Sequence, residues 1–162
     1  MQIPYRIGFG YDVHRLEEGY DLWLGGIKIP YEKGLAGHSD ADVLLHAVCD
    51  ALLGAAALGD IGVHFPPTDM AYKGIDSKIL LKKTCELIRQ AGYEIGNIDA
   101  TIAAEAPKIN PHIPQMKTIM AEVMGLTSGE ISIKATTTER LGFVGHREGM
   151  EAYATALIMK RQ

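Results

Sequence analysis

Asp12 and His14 stand two residues apart in a stretch, Tyr5 to His14, that alternates as a strand does. Residues two apart on a strand project from one face, so a carboxylate and an imidazole lie side by side there. Such a pair is half of a metal site. A second imidazole comes from His46, inside an apolar segment of helical spacing. At about 100° per residue it shares a stripe with Asp42 and Asp50, roughly opposite Leu44 and Val48. That stripe turns His46 towards solvent or towards a site. Two histidines and one carboxylate would give zinc three protein ligands and leave its fourth position open, as catalytic zinc requires. Spacing alone leaves two other readings standing: an Asp-x-His surface pair, and a helix histidine that is merely solvated.

Glycines in polar loops add a second chemistry. Gly34 to Gly37 precede His38-Ser39, Gly59-Asp60-Ile61-Gly62 forms a second group, and Gly142 to Gly145 follow a threonine run. Loops of this kind let backbone N–H groups approach an anion, and phosphate is the natural guest. They also suit plain turns. None matches a P-loop or a dinucleotide fingerprint, because Gly8-Phe9-Gly10 runs into Tyr11-Asp12-Val13 with no third glycine opening a helix. Thr136, Thr137 and Thr138 read either as β-formers at a strand end or, with Glu139 after them, as a place to hold a hard cation against phosphate. His64 and His112 carry no comparable context and read as surface residues.

The elements that must position these residues follow from periodicity. Tyr5 to His14 and Asp21 to Ile29 read as β structure, the latter around a Gly25-Gly26 turn or bulge. Ser39 to Gly59 is the strongest helix, with Ser39 as its expected cap. Gly62 to Gly74 reads as an exposed loop, and a helix capped by Asp76 or Ser77 runs to Gly92. A strand from Ile98 to Ala104, a helix opened by Asn110-Pro111 and closed at Gly125, and a strand from Ile131 to Ala135 come next. Met116 and Met120 are expected as core filler. The tail, Gly149 to Lys160, fits a strand or a helix. This order predicts an α+β fold with helices packed on one face of a β-sheet, in one domain spanning residues 1–162.

Composition narrows the partners. Sixteen Lys and Arg against twenty Asp and Glu leave a net charge of −4, which argues against a duplex-binding protein and makes nucleic acid an unexpected partner. Cys49 and Cys85 stand alone without CxxC spacing, so buried thiols in a reducing cytoplasm are expected. The longest uncharged run, Ala51 to Gly59, is about half of what a membrane span needs, and no membrane partner is expected. The opening MQIPYRIGFGYDVHR lacks the apolar core of a secretory signal, which again points to the cytoplasm.

Longer strings carry a resemblance. Gly10 to His14, His38-Ser39-Asp40, His46 to Ala55, Gly59 to Gly62, Ala106-Pro107-Lys108, Pro111 to Met116 and Lys134 to Glu139 together resemble the 2-C-methyl-D-erythritol 2,4-cyclodiphosphate synthase family over nearly the whole chain. The resemblance implies a CDP-linked small-molecule substrate, 4-diphosphocytidyl-2-C-methyl-D-erythritol 2-phosphate. Its 2-phosphate attacks the β-phosphorus, closing a cyclic diphosphate and expelling CMP. A phosphate monoester has a second pKa of about 6 and is already a nucleophile at neutral pH, so no nucleophilic side chain is needed. By resemblance, Asp12, His14 and His46 hold zinc and Glu139 holds magnesium or manganese against the substrate diphosphate. His38 and Ser39 resemble a phosphate-side pair, with His38 and Thr137 assisting the transition state. Asp60, Ile61 and Gly62 with Phe65, Pro66, Pro67, Thr68 and Asp69 correspond to the erythritol pocket and its loop. Ala104, Glu105, Ala106, Pro107, Lys108, Ile109 and Asn110 with Thr136, Thr137, Thr138 and Glu139 correspond to the cytidine side. Val13, Phe143 and His146 complete the implied substrate-contacting set.

Two residues depart from the family pattern. Pro67 stands where many members have Asp, which stiffens the loop. His146 stands where many have Arg near the three-fold axis, which weakens any anion site there. The family fold is a ferredoxin-like homotrimer with sites between subunits, so the metal triad would come from one subunit and the cytidine-facing residues from its neighbour. A zinc phosphohydrolase of a nucleotide-linked substrate and a non-catalytic nucleotide-binding module are the competing functions.

Overall fold

The structure is a computed structural model and describes residues 3–162. Its longest strand, β1 (Tyr5–Glu18), alternates as expected. A hairpin of β2 (Leu22–Leu24) and β3 (Ile27–Ile29) follows, turning on Gly25 and Gly26 at φ of +62° and +81°. Two consecutive left-handed residues are what a tight hairpin turn demands. β4 (Lys33–Ala36) then pairs antiparallel with β1.

Helix α1 (Val43–Ala55) begins four residues after Ser39. Ser39 does not cap it: its hydroxyl accepts the Ala41 N–H, Ala41 sits at φ +56°, and the chain turns helical only after Asp42. Asp42 is the cap, accepting the Leu45 N–H, and it lies at 0% exposure instead of on a polar stripe. Its carboxylate also accepts the N–H groups of Gly25 and Gly26, at 3.0 and 2.7 Å, which ties the hairpin to the helix start. Burial pushes this carboxyl above its usual range, against the pull of the three N–H donors.

The expected loop after Gly62 is partly structured, by α2 (Ile61–His64) and a 3₁₀ turn at Met70–Tyr72. α3 (Ser77–Gln90) is capped by Asp76 and leads to β5 (Tyr93–Ala103). α4 (Ile113–Met124) is preceded by a 3₁₀ turn at Asn110–His112, so Asn110 opens that turn and makes no side-chain cap; Gly125 closes α4 in the left-handed region. Met116, Met120 and Met124 are all at 0% exposure, core residues as expected. β6 (Ile131–Thr136), α5 (Gly142–Gly145) and β7 (Gly149–Lys160) finish the chain.

The main sheet runs β4-β1-β7-β5-β6. β7 lies antiparallel between β1 and β5, and β5 and β6 are parallel, joined across α4. The tail is therefore a strand, and pairing on both sides settles what its alternation left open. Its alanines 152, 154 and 156 are buried, because α1 packs over β1 and β7. α3 covers β5 and α4 covers β6 on that same side. The opposite face of β1 stays open, with Ile7 and Phe9 exposed at 75% and 65%. Among the described residues, no helix is long and apolar enough to cross a membrane.

Candidate functional site

The even positions of β1 face α1, and two of them are glycines. A Cβ on Gly10 would stand 1.9 Å from the Ala47 carbonyl oxygen, and one on Gly8 would stand 2.0 Å from that of Ala51. The helix thus rests on bare strand backbone, closer than any side chain allows. The next even positions along the same face are Asp12 and His14. Because Ala47 sits over Gly10, His46 beside it reaches both. Gly8-x-Gly10-x-Asp12-x-His14 is thus one surface: a seat for the helix, then two side chains of the kinds that can ligate a metal. The paired glycines were the sequence signal for this docking, and they pass unnoticed when read only as a failed dinucleotide motif.

Three atoms converge. His14 Nε2 lies 2.9 Å from Asp12 Oδ2, His46 Nδ1 lies 3.0 Å from the same oxygen, and the two nitrogens are 3.2 Å apart. Among the described residues, this is the group of His, Cys, Asp or Glu side chains able to hold a metal ion. The donor set fits zinc: bonds of about 2.0–2.2 Å in a tetrahedron separate ligand atoms by about 3.3–3.6 Å, so the three atoms need only spread slightly to take the ion. His14 Nδ1 donates to the Ala36 carbonyl at 3.0 Å, which leaves Nε2 free to ligate. His46, only 6% exposed, turns Nε2 to the hydroxyls of Ser77 at 2.9 Å and Ser39 at 3.2 Å. Burial pushes the Asp12 carboxyl up, but the hydrogen bonds and charges of His14 and His46 outweigh it and hold it at about 2. For His14, burial favours the neutral ring, and Asp12 more than reverses this, raising its pKa.

A cleft of about 240 Å³ opens at this triad. Its walls include Asp12, His14, His46, His38, Ser39, Ile61, Gly62, Phe65 and Pro67, so the structure brings most of the expected phosphate and erythritol residues together. Tyr72, Ile75 and Leu80 also line it and were missed. The edge-on packing of Phe65 and Tyr72, ring centres 5.6 Å apart, joins the two ends of the loop. Asp60 and Asp69 do not line the cleft, since their carboxylates cap local turns through the N–H groups of Val63 and Ala71. Pro66 and Thr68 are outside its walls too. Asp50 accepts the Ile61 N–H at 2.8 Å and so anchors α2 to α1. His64 is a tethered residue rather than a bare surface one, bonded to the Leu58 carbonyl.

A separate cleft of about 270 Å³ lies at the ends of β5 and β6. Ala104, Glu105, Pro107, Lys108, Ile109, Asn110, Thr136 and Thr137 line it, with Ala135 added. Ala106 precedes Pro107 through a cis peptide and does not line it. Thr138 donates to the Leu141 carbonyl, and Glu139 is exposed beyond the cleft at φ +54°, its N–H bonded to Thr137 Oγ1. Val13 and Phe143 line a further depression with His14 and Arg15, while His146 is exposed at the end of α5. Strand register sets the spacing within one chain. Val13 pairs with Glu151, Glu151 with Ala103 and Ala103 with Thr136, a row three strand spacings or about 14 Å wide. The first two clefts share no residue.

Comparison with known proteins supplies the remaining findings. The YgbB family pattern matches residues 5–159. The chain is similar to a 2-C-methyl-D-erythritol 2,4-cyclodiphosphate synthase of Porphyromonas gingivalis, 67% identical over 159 residues and 98% of each chain. Among solved structures, the bifunctional IspDF of Campylobacter jejuni superposes with a TM-score of 0.93 at 42% identity. That match covers 96% of this chain and 42% of that one. An IspF of Plasmodium falciparum, solved as a CDP complex, gives a TM-score of 0.86 at 33% identity over 100% of both chains.

Proposed function

The chain belongs to the YgbB family, whose similar members are 2-C-methyl-D-erythritol 2,4-cyclodiphosphate synthases, and from that premise we propose how its residues carry out the cyclisation. The protein is a phosphorus–oxygen lyase of isoprenoid biosynthesis. It converts 4-diphosphocytidyl-2-C-methyl-D-erythritol 2-phosphate to 2-C-methyl-D-erythritol 2,4-cyclodiphosphate and CMP. An oxygen of the 2-phosphate bonds to the β-phosphorus, and the bond from that phosphorus to the bridging oxygen of the CMP group breaks. The monoester is a dianion near neutral pH, so the protein's task is to bring two anions together in line.

The observation that carries this reading is the convergence of Asp12 Oδ2, His14 Nε2 and His46 Nδ1 at one end of a cleft. These three hold zinc. When bound, the ion supplies Lewis-acid polarisation of a phosphate oxygen. His38 and Ser39, on the same wall, donate to the phosphate and erythritol end, and Gly62, lacking a side chain, lets the backbone come close. Phe65 and Pro67 close over the erythritol carbons; Pro67 narrows the loop's freedom, with Pro66, Thr68 and Asp69 shaping it. The second cleft takes the cytidine, with Lys108 adding positive charge and Glu105 and Asn110 adding polar atoms. Thr137 meets the diphosphate, and Glu139 would hold magnesium or manganese, whose charge would offset that of the diphosphate.

The whole chain acts as one catalytic domain in the cytoplasm, and the active form is a ferredoxin-like homotrimer. Two features support the trimer. The open face of β1 presents Ile7, Phe9, Tyr11 and Val13 to water, a patch of the kind that marks an interface. The clefts for the two ends of the substrate lie apart in a single chain, and assembly brings the triad of one subunit to the cytidine cleft of its neighbour. Phosphorus NMR after incubation with substrate and divalent metal tests the function. Cyclic diphosphate with CMP is expected, and release of orthophosphate would indicate a phosphohydrolase instead.

A further inference from the structure

Ser77 is the first residue of α3 and has no exposed surface. Its backbone N–H donates to Asp40 Oδ2 at 2.9 Å, and its hydroxyl donates to Asp40 Oδ1 in a short hydrogen bond. Asp40 Oδ1 also accepts the Asp42 N–H at 3.2 Å. An ionised carboxylate can only accept, so the Ser77 hydroxyl proton is committed to Asp40. Ser77 Oγ nevertheless lies 2.9 Å from His46 Nε2. The proton for that contact must come from the imidazole, which makes Nε2 the protonated nitrogen and leaves the Nδ1 lone pair facing Asp12 and His14.

We propose that Ser77 and Asp40 are positioning residues of the metal centre, a hydroxyl and carboxylate relay that fixes the ring orientation and tautomer of His46. The proposal rests on the zinc reading of Asp12, His14 and His46. It parallels the role of the Ala36 carbonyl at His14, where the nitrogen far from the site is likewise occupied as a donor. The contact between His46 and Ser77 is shielded from water, since both residues are buried, while Asp40 behind them is half-buried. It also releases Ser39. With Ser77 taking the His46 proton at the shorter distance, the Ser39 hydroxyl, whose oxygen accepts the Ala41 N–H, keeps its own proton for a ligand in the cleft. A purely structural reading would have the Ser77 and Asp40 pair only tie α3 to the segment before α1. The backbone bond from Ser77 to Asp40, together with that from Asp40 N–H to the Ile75 carbonyl, already makes this tie and survives loss of the hydroxyl.

The test is zinc affinity of the full-length protein, measured by competition with a chromophoric chelator, with the zinc-induced rise in melting midpoint as a second readout. Ser77→Ala is expected to weaken zinc binding by about 10- to 100-fold. It should also shrink the zinc-induced rise, whatever the midpoint of the zinc-free variant. Ser77→Thr, which keeps the hydroxyl, is expected to return most of the affinity. Asp40→Asn keeps the size and removes the charge; it is expected to weaken zinc severalfold, and it decides the matter alone if Ser77→Ala does not fold. Unchanged affinity in the folded variants, with tight binding by the wild type, would overturn the relay and leave the zinc site standing. A wild-type protein that takes up no zinc would overturn the zinc site and the relay with it.

Discussion

Both ring nitrogens of His46 are engaged, Nδ1 by Asp12 and His14 and Nε2 by the two serine hydroxyls. Replacing the ring removes a ligand and its bonds to the two serines, while the buried apolar residues of α1 keep the helix packed on the sheet. His46→Ala is expected to stay folded by circular dichroism while its zinc content falls to background and turnover is lost; an active, zinc-free variant would refute the role given to the metal. Sequence spacing was enough to pair Asp12 with His14, because period two on a strand is a local rule. It was also enough to turn His46 away from the core stripe. It failed for Asp42, which shares the helical stripe of His46 yet is fully buried under Gly25 and Gly26. Helical periodicity places a residue on a face of its own helix and carries no information about the hairpin that covers that face. Ser77 escaped for a similar reason, since thirty-one residues separate it from the imidazole it meets.

The docking of α1 on β1 decides whether a metal centre exists at all. Gly10→Ala puts a methyl group where the Ala47 carbonyl oxygen now sits, so the helix must lift. A loss of about 3 kcal/mol in chemical unfolding is expected, together with weaker zinc binding as His46 moves off Asp12 and His14. Wild-type stability and affinity in Gly10→Ala would contradict the close packing. Most elements were legible from alternation and helical spacing, including the strand that carries Asp12 and His14. The start of α1 was not, because Ser39 has the chemistry of a cap and Ala41 has to adopt a left-handed backbone to delay the helix. The tail could not be assigned from its alanines alone; long-range pairing with both β1 and β5 makes it the central strand.

For the whole molecule, composition excluded a duplex-binding surface and a long apolar span but contained no trace of assembly. The open face of β1 is the candidate interface for the proposed trimer, with Ile7 and Phe9 more than 60% exposed on a face that no helix covers. A charge placed there should hinder the proposed trimer without touching the triad, which lies on the other side of the strand. Phe9→Glu is expected to sediment as a smaller species and to lose turnover while still binding zinc; a full-sized, active variant would argue against an interface on that face. Mild net acidity is compatible with the proposed mechanism, in which positive charge for a polyanionic substrate would come chiefly from metal ions. The most direct measurement is a zinc-edge anomalous map from crystals grown with zinc. One peak per chain, bonded to Asp12 Oδ2, His14 Nε2 and His46 Nδ1, is expected; a peak held by other residues, or an active enzyme with this triad empty, would contradict the metal centre on which the mechanism depends.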